Sequence, residues 1–299
     1  IPRYFKNHLE NETDVVWDEV DFSAPWLSPL FTDKPVLMHC HHFQKNNFFY
    51  ELPWLIAAGA YTVEPILYRL YRKSKVVAVS ESTKKSLVEI GIPDGNITVS
   101  SPALDSAIFR EWEDVWPKKS AAPTIVSLAR LRAWKGVHFA IQAMPQILKQ
   151  VPDCRLNIIG TGPYERELRN LTEKLNLSQN VFFLGRLESE AKLDRLKESW
   201  LLTKTSAREG WGIDVLEANA CASPAVGWNV AGTRDSIQHN RTGRLVPFGD
   251  VAGLSREAAA ILLDRQLREK MARESFDFCR QFTWDASAEK ISRVISWMV

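Results

Sequence analysis

Short apolar runs of strand length recur along this chain, each ending in a small-residue turn and each followed by apolar residues at helical spacing. Thr124 to Leu128 is one such run, and the stripe after it is Val137, Ala140, Ile141, Met144, Ile147, Leu148 and Val151, continuous despite Pro145. Ile158-Ile159 runs into Gly160-Thr161-Gly162-Pro163 and then into Tyr164, Leu168, Leu171 and Leu175. Nearer the start, Asp14 to Asp18, Pro35 to Cys40, Lys75 to Ser80 and Ile97 to Ser100 read as strands. The third of these opens into a helix to Ile90 with a serine cap and a polar first turn. Strand and helix in strict alternation specify parallel sheets flanked by helices, an α/β fold. A length of 299 residues suits two such domains. The stretch 111–123 reads as the linker between them.

The segment Thr205 to Glu217, T-S-A-R-E-G-W-G-I-D-V-L-E, carries the chemistry. It follows a buried-type strand, Trp200 to Thr203, and leads into a helical pattern. Glu209 therefore falls on a tight loop at a strand's carboxyl end, and Glu217 about one and a half turns into the next helix. Ligands of open α/β sheets bind at the carboxyl ends of the strands. Backbone amides of the Gly210-Trp211-Gly212 turn and of the helix start would favour an anion there. Carboxylates beside an anion site fit a ligand with both hydroxyls and phosphates, such as a nucleotide sugar. Arg130 and Lys135 sit five residues apart after another strand; a planar fork of donors and a point charge together suit a diphosphate.

These residues resemble a known pattern. Glu209 and Glu217 match the E-x7-E motif of the retaining glycosyltransferases of family 4. Ala129-Arg130-Leu131 with Lys135-Gly136 resembles that family's G-R-L…K-G, with alanine for the first glycine. Val77-Ala78-Val79-Ser80-Glu81-Ser82-Thr83-Lys84, Ile158 to Pro163, Phe183-Leu184-Gly185, Ala231 to Asp235 and Thr242 to Pro247 resemble further family elements in the family's order. The resemblance implies the GT-B fold, two Rossmann-like doubly wound domains facing a cleft. Residues 1–115 would be a partial acceptor-side domain, 116–284 the nucleotide-sugar domain, and 285–299 a helix crossing back to the first. It also implies that Arg130, Lys135 and the 210–212 turn hold the donor diphosphate. Glu217 would bind the ribose and Glu209 the donor sugar, with the base near Gly185 and Arg186. His41, at a strand end of the first domain, would face the sugar. In the family a full first domain begins with a strand and a glycine-rich loop; this chain enters on what resembles the fourth strand, so roughly a third to a half of that domain is expected to be absent. Its missing strands would leave an open sheet edge.

The expected reaction is transfer from a UDP- or GDP-sugar to a glycan, lipid-linked or small-molecule acceptor, with retention of configuration. The two glutamates are not read as the acid and nucleophile of a glycoside hydrolase. A diphosphate leaving group is stabilised electrostatically instead. No D-x-D motif is present, and neither a metal nor another cofactor is expected. His39-Cys40-His41-His42 could seed a zinc site, but no second cluster lies at finger-like spacing, so His39 and His42 are read as structural. A Rossmann oxidoreductase or an epimerase would need G-x-G-x-x-G, and Gly160-x-Gly162 lacks the third glycine. A non-catalytic subunit that binds the nucleotide sugar, or a fragment lacking turnover, is the other alternative.

A net charge of +2 makes no case for nucleic acid. Four cysteines without paired spacing fit a reducing compartment, and the five N-x-S/T sequons are read as chance in a cytoplasmic protein. The aromatic-rich stretch Phe48 to Tyr71 is broken by Pro53, Glu64, Pro65 and Arg69, and falls short of the roughly 20 apolar residues of a spanning helix. Two readings stand for it: peripheral contact with the inner face of a membrane that carries the acceptor, or ordinary packing within the first domain or against the carboxyl-terminal helix.

Overall fold

The computed structural model describes residues 2–20 and 25–299, which divide into two compact units. Unit 1 comprises residues 1–103 with Trp284–Val299, and unit 2 runs from Leu104 to Thr283.

Unit 1 holds a four-stranded parallel sheet, β1 (Val16–Val20), β2 (Val36–Cys40), β3 (Lys75–Ala78) and β4 (Ile97–Val99), ordered as the chain runs. The first strand lies two residues later than the sequence reading placed it, because Asp14 and Val15 precede the ladder to β2. The helices before and between the strands are α1 (Pro2–His8), α2 (Phe48–Glu51), α3 (Trp54–Arg69) and α4 (Glu81–Glu89). Ser80 caps α4 by accepting from the Thr83 amide, as its position predicts. Val20, Met38, Cys40, Val76, Ala78, Leu87 and Ile92 form the core on one side of the sheet. Glu64, which interrupts the apolar pattern of α3, is buried, and its carboxylate accepts the amides of Gln44 and Lys45. It anchors the loop that follows β2.

Unit 2 is a six-stranded parallel sheet. Its strands are β5 (Thr124–Leu128), β6 (Arg155–Ile159), β7 (Val181–Gly185), β8 (Leu201–Lys204), β9 (Ala225–Trp228) and β10 (Gly243–Val246). Across the sheet they are ordered β10-β9-β8-β5-β6-β7. The order reverses between β5 and β8, which is the doubly wound arrangement with its switch point at those two strands. Its helices are α5 (Trp112–Val115), α6 (Val137–Leu148), α7 (Glu165–Lys174), α8 (Ser189–Glu198), α9 (Ile213–Ala220), α10 (Thr233–Ser236), α11 (Val251–Leu263) and α12 (Arg265–Cys279). The stripe read on α6 packs into the larger core, with Ile125, Leu156, Trp228 and Leu254.

Two boundaries differ from the sequence reading. The first unit ends at Ala103 rather than near 115, and the stretch 111–123 is no linker. Trp112 and Trp116 stack on each other, and Val115 buries against Phe276 and Ala272. The spacing i, i+3, i+4 of these three residues is a one-turn amphipathic helix, and its apolar face belongs to unit 2. The last helix, α13 (Trp284–Ser296), belongs to unit 1. Val294, Ile291 and Ile295 pack there on Leu37 and Val77, the face of the first sheet opposite its main core.

Candidate active site

The switch point of unit 2 gathers the loops that leave β5, β8 and β9. They are tied by backbone: the Ala207 amide donates to Trp134, and the Glu209 amide donates to Ala231. Two glycines permit the approach. Gly136 has φ +67°, and a Cβ there would lie 2.0 Å from the Thr205 carbonyl oxygen. Gly232 has φ +81°, and its Cβ would meet the Glu209 carbonyl oxygen at 2.3 Å. Any other residue at either position would push the Glu209 loop away from its neighbours.

On this frame sits a chain of four charges. Lys135 and Lys204 each place Nζ 2.7 Å from the same oxygen of Glu209, and Lys204 also holds both oxygens of Asp214 at 2.8 and 2.7 Å. These side chains expose between 5% (Lys204) and 14% (Asp214) of their surface. Burial alone would raise the Glu209 carboxyl, but the ammonium groups of Lys135 and Lys204 outweigh it and hold the group far below the usual carboxylate range. Burial would likewise lower Lys204, and here Asp214 and Glu209 outweigh it and raise it. At Lys135 burial prevails over the attraction of Glu209, the Lys204 cation adds to it, and the group sits below the ordinary lysine value.

The structure brings Lys135 to Glu209. Arg130 lies on the same loop but is exposed. The turn after Glu209 behaves differently from its reading as a plain anion cradle. The Trp211 side chain is core, packed on Leu104, Leu216 and Cys279, with Phe282 5.2 Å away ring to ring. That burial fixes the turn. Among the described residues no backbone acceptor receives the amides of Gly210, Trp211 or Gly212, so three donors stay available in this turn. The hydroxyls of Thr205 and Thr233, at the ends of the same loops, are also buried without a partner. Such an array of unspent donors and a buried cation suits a polyanion.

Glu217 is the fifth residue of α9 and is held by Lys192 of α8 at 2.7 Å. Burial raises its carboxyl above the ordinary value, with Lys192 opposing. Gly185 ends β7 with φ +68°, its carbonyl taken by the Gly160 amide, and Arg186 after it is exposed. Lys204 and Lys192 were missed by sequence reasoning. The signal for Lys204 was a lysine closing the buried run Leu201-Leu202-Thr203, where a charge needs a fixed partner. Lys192, on the polar surface of a helix, gave none.

His41 belongs to unit 1, just past the end of β2. Its Nε2 lies 2.5 Å from Glu19 Oε1, and its ring is 4.6 Å from that of His39. The shared face of His39 and His41 is as the period of a strand dictates, but Glu19, from the neighbouring strand, went unnoticed. All four cysteines are buried and none is in a disulfide. Among the described residues no helix is long and apolar enough to cross a membrane.

Comparison with known proteins gives the same direction. The family model described as glycosyl transferases group 1 matches residues 108–277. The N-acetyl-alpha-D-glucosaminyl L-malate synthase of Bacillus anthracis is 29% identical over 218 residues, covering 70% of this chain and 56% of the relative. A GDP-mannose-dependent alpha-(1-6)-phosphatidylinositol monomannoside mannosyltransferase of Mycobacterium tuberculosis is 26% identical over 308 residues, covering 95% and 76%. This chain thus spans little more than half the length of the first relative and about three quarters of the second. Among solved structures, Anabaena HepE in complex with UDP and glucose superposes with a TM-score of 0.75 at 19% identity, covering 95% of this chain and 78% of that one. The match across more than half of the sequence, with two parallel α/β units in the GT-B manner, makes this chain a member of the glycosyl transferases group 1 family.

Proposed function

We propose that the protein is a retaining glycosyltransferase that moves a sugar from a nucleoside-diphosphate donor to a glycan, lipid-linked or small-molecule acceptor without a catalytic metal. The observation that carries this reading is the Lys135–Glu209–Lys204–Asp214 chain beside three unpaired amides at the switch point of unit 2. Lys135, the 210–212 amides and Arg130 take the diphosphate. As the bond to the anomeric carbon breaks, negative charge grows on the leaving phosphate, and donors already in place stabilise it without reorganising. Glu209 binds the sugar and favours the positive charge that develops on it. Two lysines on one oxygen make that carboxylate a poor nucleophile, which disfavours a double displacement. The acceptor attacks from the leaving group's side and the departing phosphate takes its proton. Glu217 exchanges its Lys192 partner for the ribose hydroxyls, the base lies near Gly185 and Arg186, and His41 serves the sugar.

The acceptor side is assigned to unit 1. There α2 and α3 expose Tyr50, Trp54, Leu55, Ile56 and Ile66, with Trp54 at 70% and Leu55 at 75% exposure. Such a face suits peripheral contact with a membrane on its cytoplasmic side, where a lipid-linked acceptor would be presented. The mycobacterial relative, named for a phosphatidylinositol monomannoside, fits that choice.

The test is a thermal-shift titration with UDP, GDP, ADP and TDP, with and without magnesium. A ligand selective for the folded state raises Tm by mass action. Stabilisation by one diphosphate, equal with and without magnesium, is expected and names the base. No shift with any of the four, or a shift that needs magnesium, sinks the reading. Binding without transfer in Glu209→Gln, set against transfer by the wild type, distinguishes an enzyme from a subunit that only binds.

A further inference from the structure

Unit 1 holds a cluster that the proposed transfer uses only in part. β1 and β2 pair in parallel with Glu19 opposite His39. His41, two residues further, returns to the same face. One ligand atom each from Glu19, His39 and His41 lies within 4.8 Å of the other two. Glu19 Oε1 is 3.3 Å from His39 Nδ1. That pair has the separation of neighbouring donor atoms in a tetrahedral shell with bonds of about 2.0–2.1 Å, roughly 3.3 Å, whereas His41 Nε2, 2.5 Å from the same oxygen, would exchange this hydrogen bond for the ion. His39 Nδ1 is buried, and the ion-pair contact with Glu19 is the one partner it has among the described residues.

The carboxylate is already oriented from behind. Its other oxygen accepts the Trp17 indole N–H at 2.7 Å, and the Trp17 ring meets the edge of His39. Outer hydrogen bonds of this kind fix ligating carboxylates in metal sites. Cys40, between the histidines, faces the core and is not a ligand. Glu19 exposes 50% of its side chain and His41 34%, so an ion has an entry and a coordination position is left to water. Two imidazoles and one carboxylate suit Zn²⁺ in both ligand type and number.

We propose that Glu19, His39 and His41 form a three-ligand Zn²⁺ site on unit 1. Coordination occupies Nε2 of His41, so Zn²⁺ would inhibit transfer; this consequence alone rests on the proposed function.

The experiment is calorimetric titration of the EDTA-stripped full chain with Zn²⁺, repeated with Co²⁺ to read the ligand field in the visible spectrum. One equivalent is expected to bind saturably, with a Co²⁺ spectrum of four or five coordination. Glu19→Gln and His39→Gln should each abolish saturable binding. Trp17→Phe, which keeps all three ligands, should weaken it by about tenfold or more. Circular dichroism establishes that each variant is folded, and Trp17→Phe keeps the test open if a ligand variant is not. Absence of saturable binding in the wild type, or affinity unchanged in the variants, overturns the site. Nucleotide-induced stabilisation is read separately: its failure beside intact Zn²⁺ binding rejects the transferase reading and leaves the metal site standing.

Discussion

Lys204 is the residue on which the charge chain turns, and Lys204→Met tests it. Methionine keeps the unbranched stem and removes only the cation. Both oxygens of Asp214 lie within 2.8 Å of that cation, and among the described residues no other cation pairs with Asp214. Glu209 keeps Lys135. The variant therefore strands one carboxylate that exposes 14% of its side chain and weakens the hold on a second. Removing one partner of a buried pair costs about 3–5 kcal/mol. Asp214 lies in the first turn of α9, whose dipole returns about 0.3–1 kcal/mol. The expected loss is about 3 kcal/mol, roughly a hundredfold in the folding equilibrium. Urea denaturation measures it, provided the m-value stays constant. Lys204→Met with Asp214→Asn should recover much of the loss, because the stranded charge is gone, with a coupling of about 2 kcal/mol. A single-variant loss under about 1 kcal/mol, or simple additivity in the double variant, would refute the claim that these groups form one buried network.

Two further outcomes follow from the same site. Glu209 has a folded-state carboxyl depressed below its ordinary value of 4.5, so its contribution is fully present above that pH and is lost as pH falls. The stability gap between wild type and Glu209→Gln should stay constant from pH 8 to about 5 and close on further acidification; a gap unchanged down to about pH 3 contradicts the pairing. Gly136→Ala would force a left-handed backbone on a residue with a Cβ and drive it into the Thr205 carbonyl. It should cost about 2 kcal/mol or more, a fall of roughly 4–8 °C in Tm, and remove nucleotide stabilisation; a variant with unchanged Tm shows that the close approach is dispensable.

Much of unit 2 was legible because its pattern is local. The strand runs, the α6 and α7 stripes and the loop position of Glu209 depend on neighbours within a dozen residues. What was not legible depends on register and partners. Lys192 and Glu217 come from consecutive helices, and Glu19 reaches His39 and His41 only through the pairing of β1 with β2. No spacing along the chain encodes such pairs. The supposed linker failed for a different reason: its charged residues masked a three-residue apolar face.

Trp211 shows how packing and function divide a single motif. The turn Gly210-Trp211-Gly212 reads as an anion cradle, yet the aromatic side chain points into a core with Leu216, Cys279 and Phe282. The two are compatible, since packing of the side chain uses none of the turn's amides. A free loop with three unpaired N–H groups would be solvated and mobile, and each would lose water and entropy on meeting a phosphate. Anchored by a buried indole, by the Glu209–Ala231 hydrogen bond and by the absent Cβ of Gly232, the same donors are held in place before any ligand arrives. Electrostatic stabilisation of a leaving phosphate depends on that preorganisation more than on the number of charges. On the proposed reading, the residue that looks least suited to an anion site is thus the one that anchors its loop.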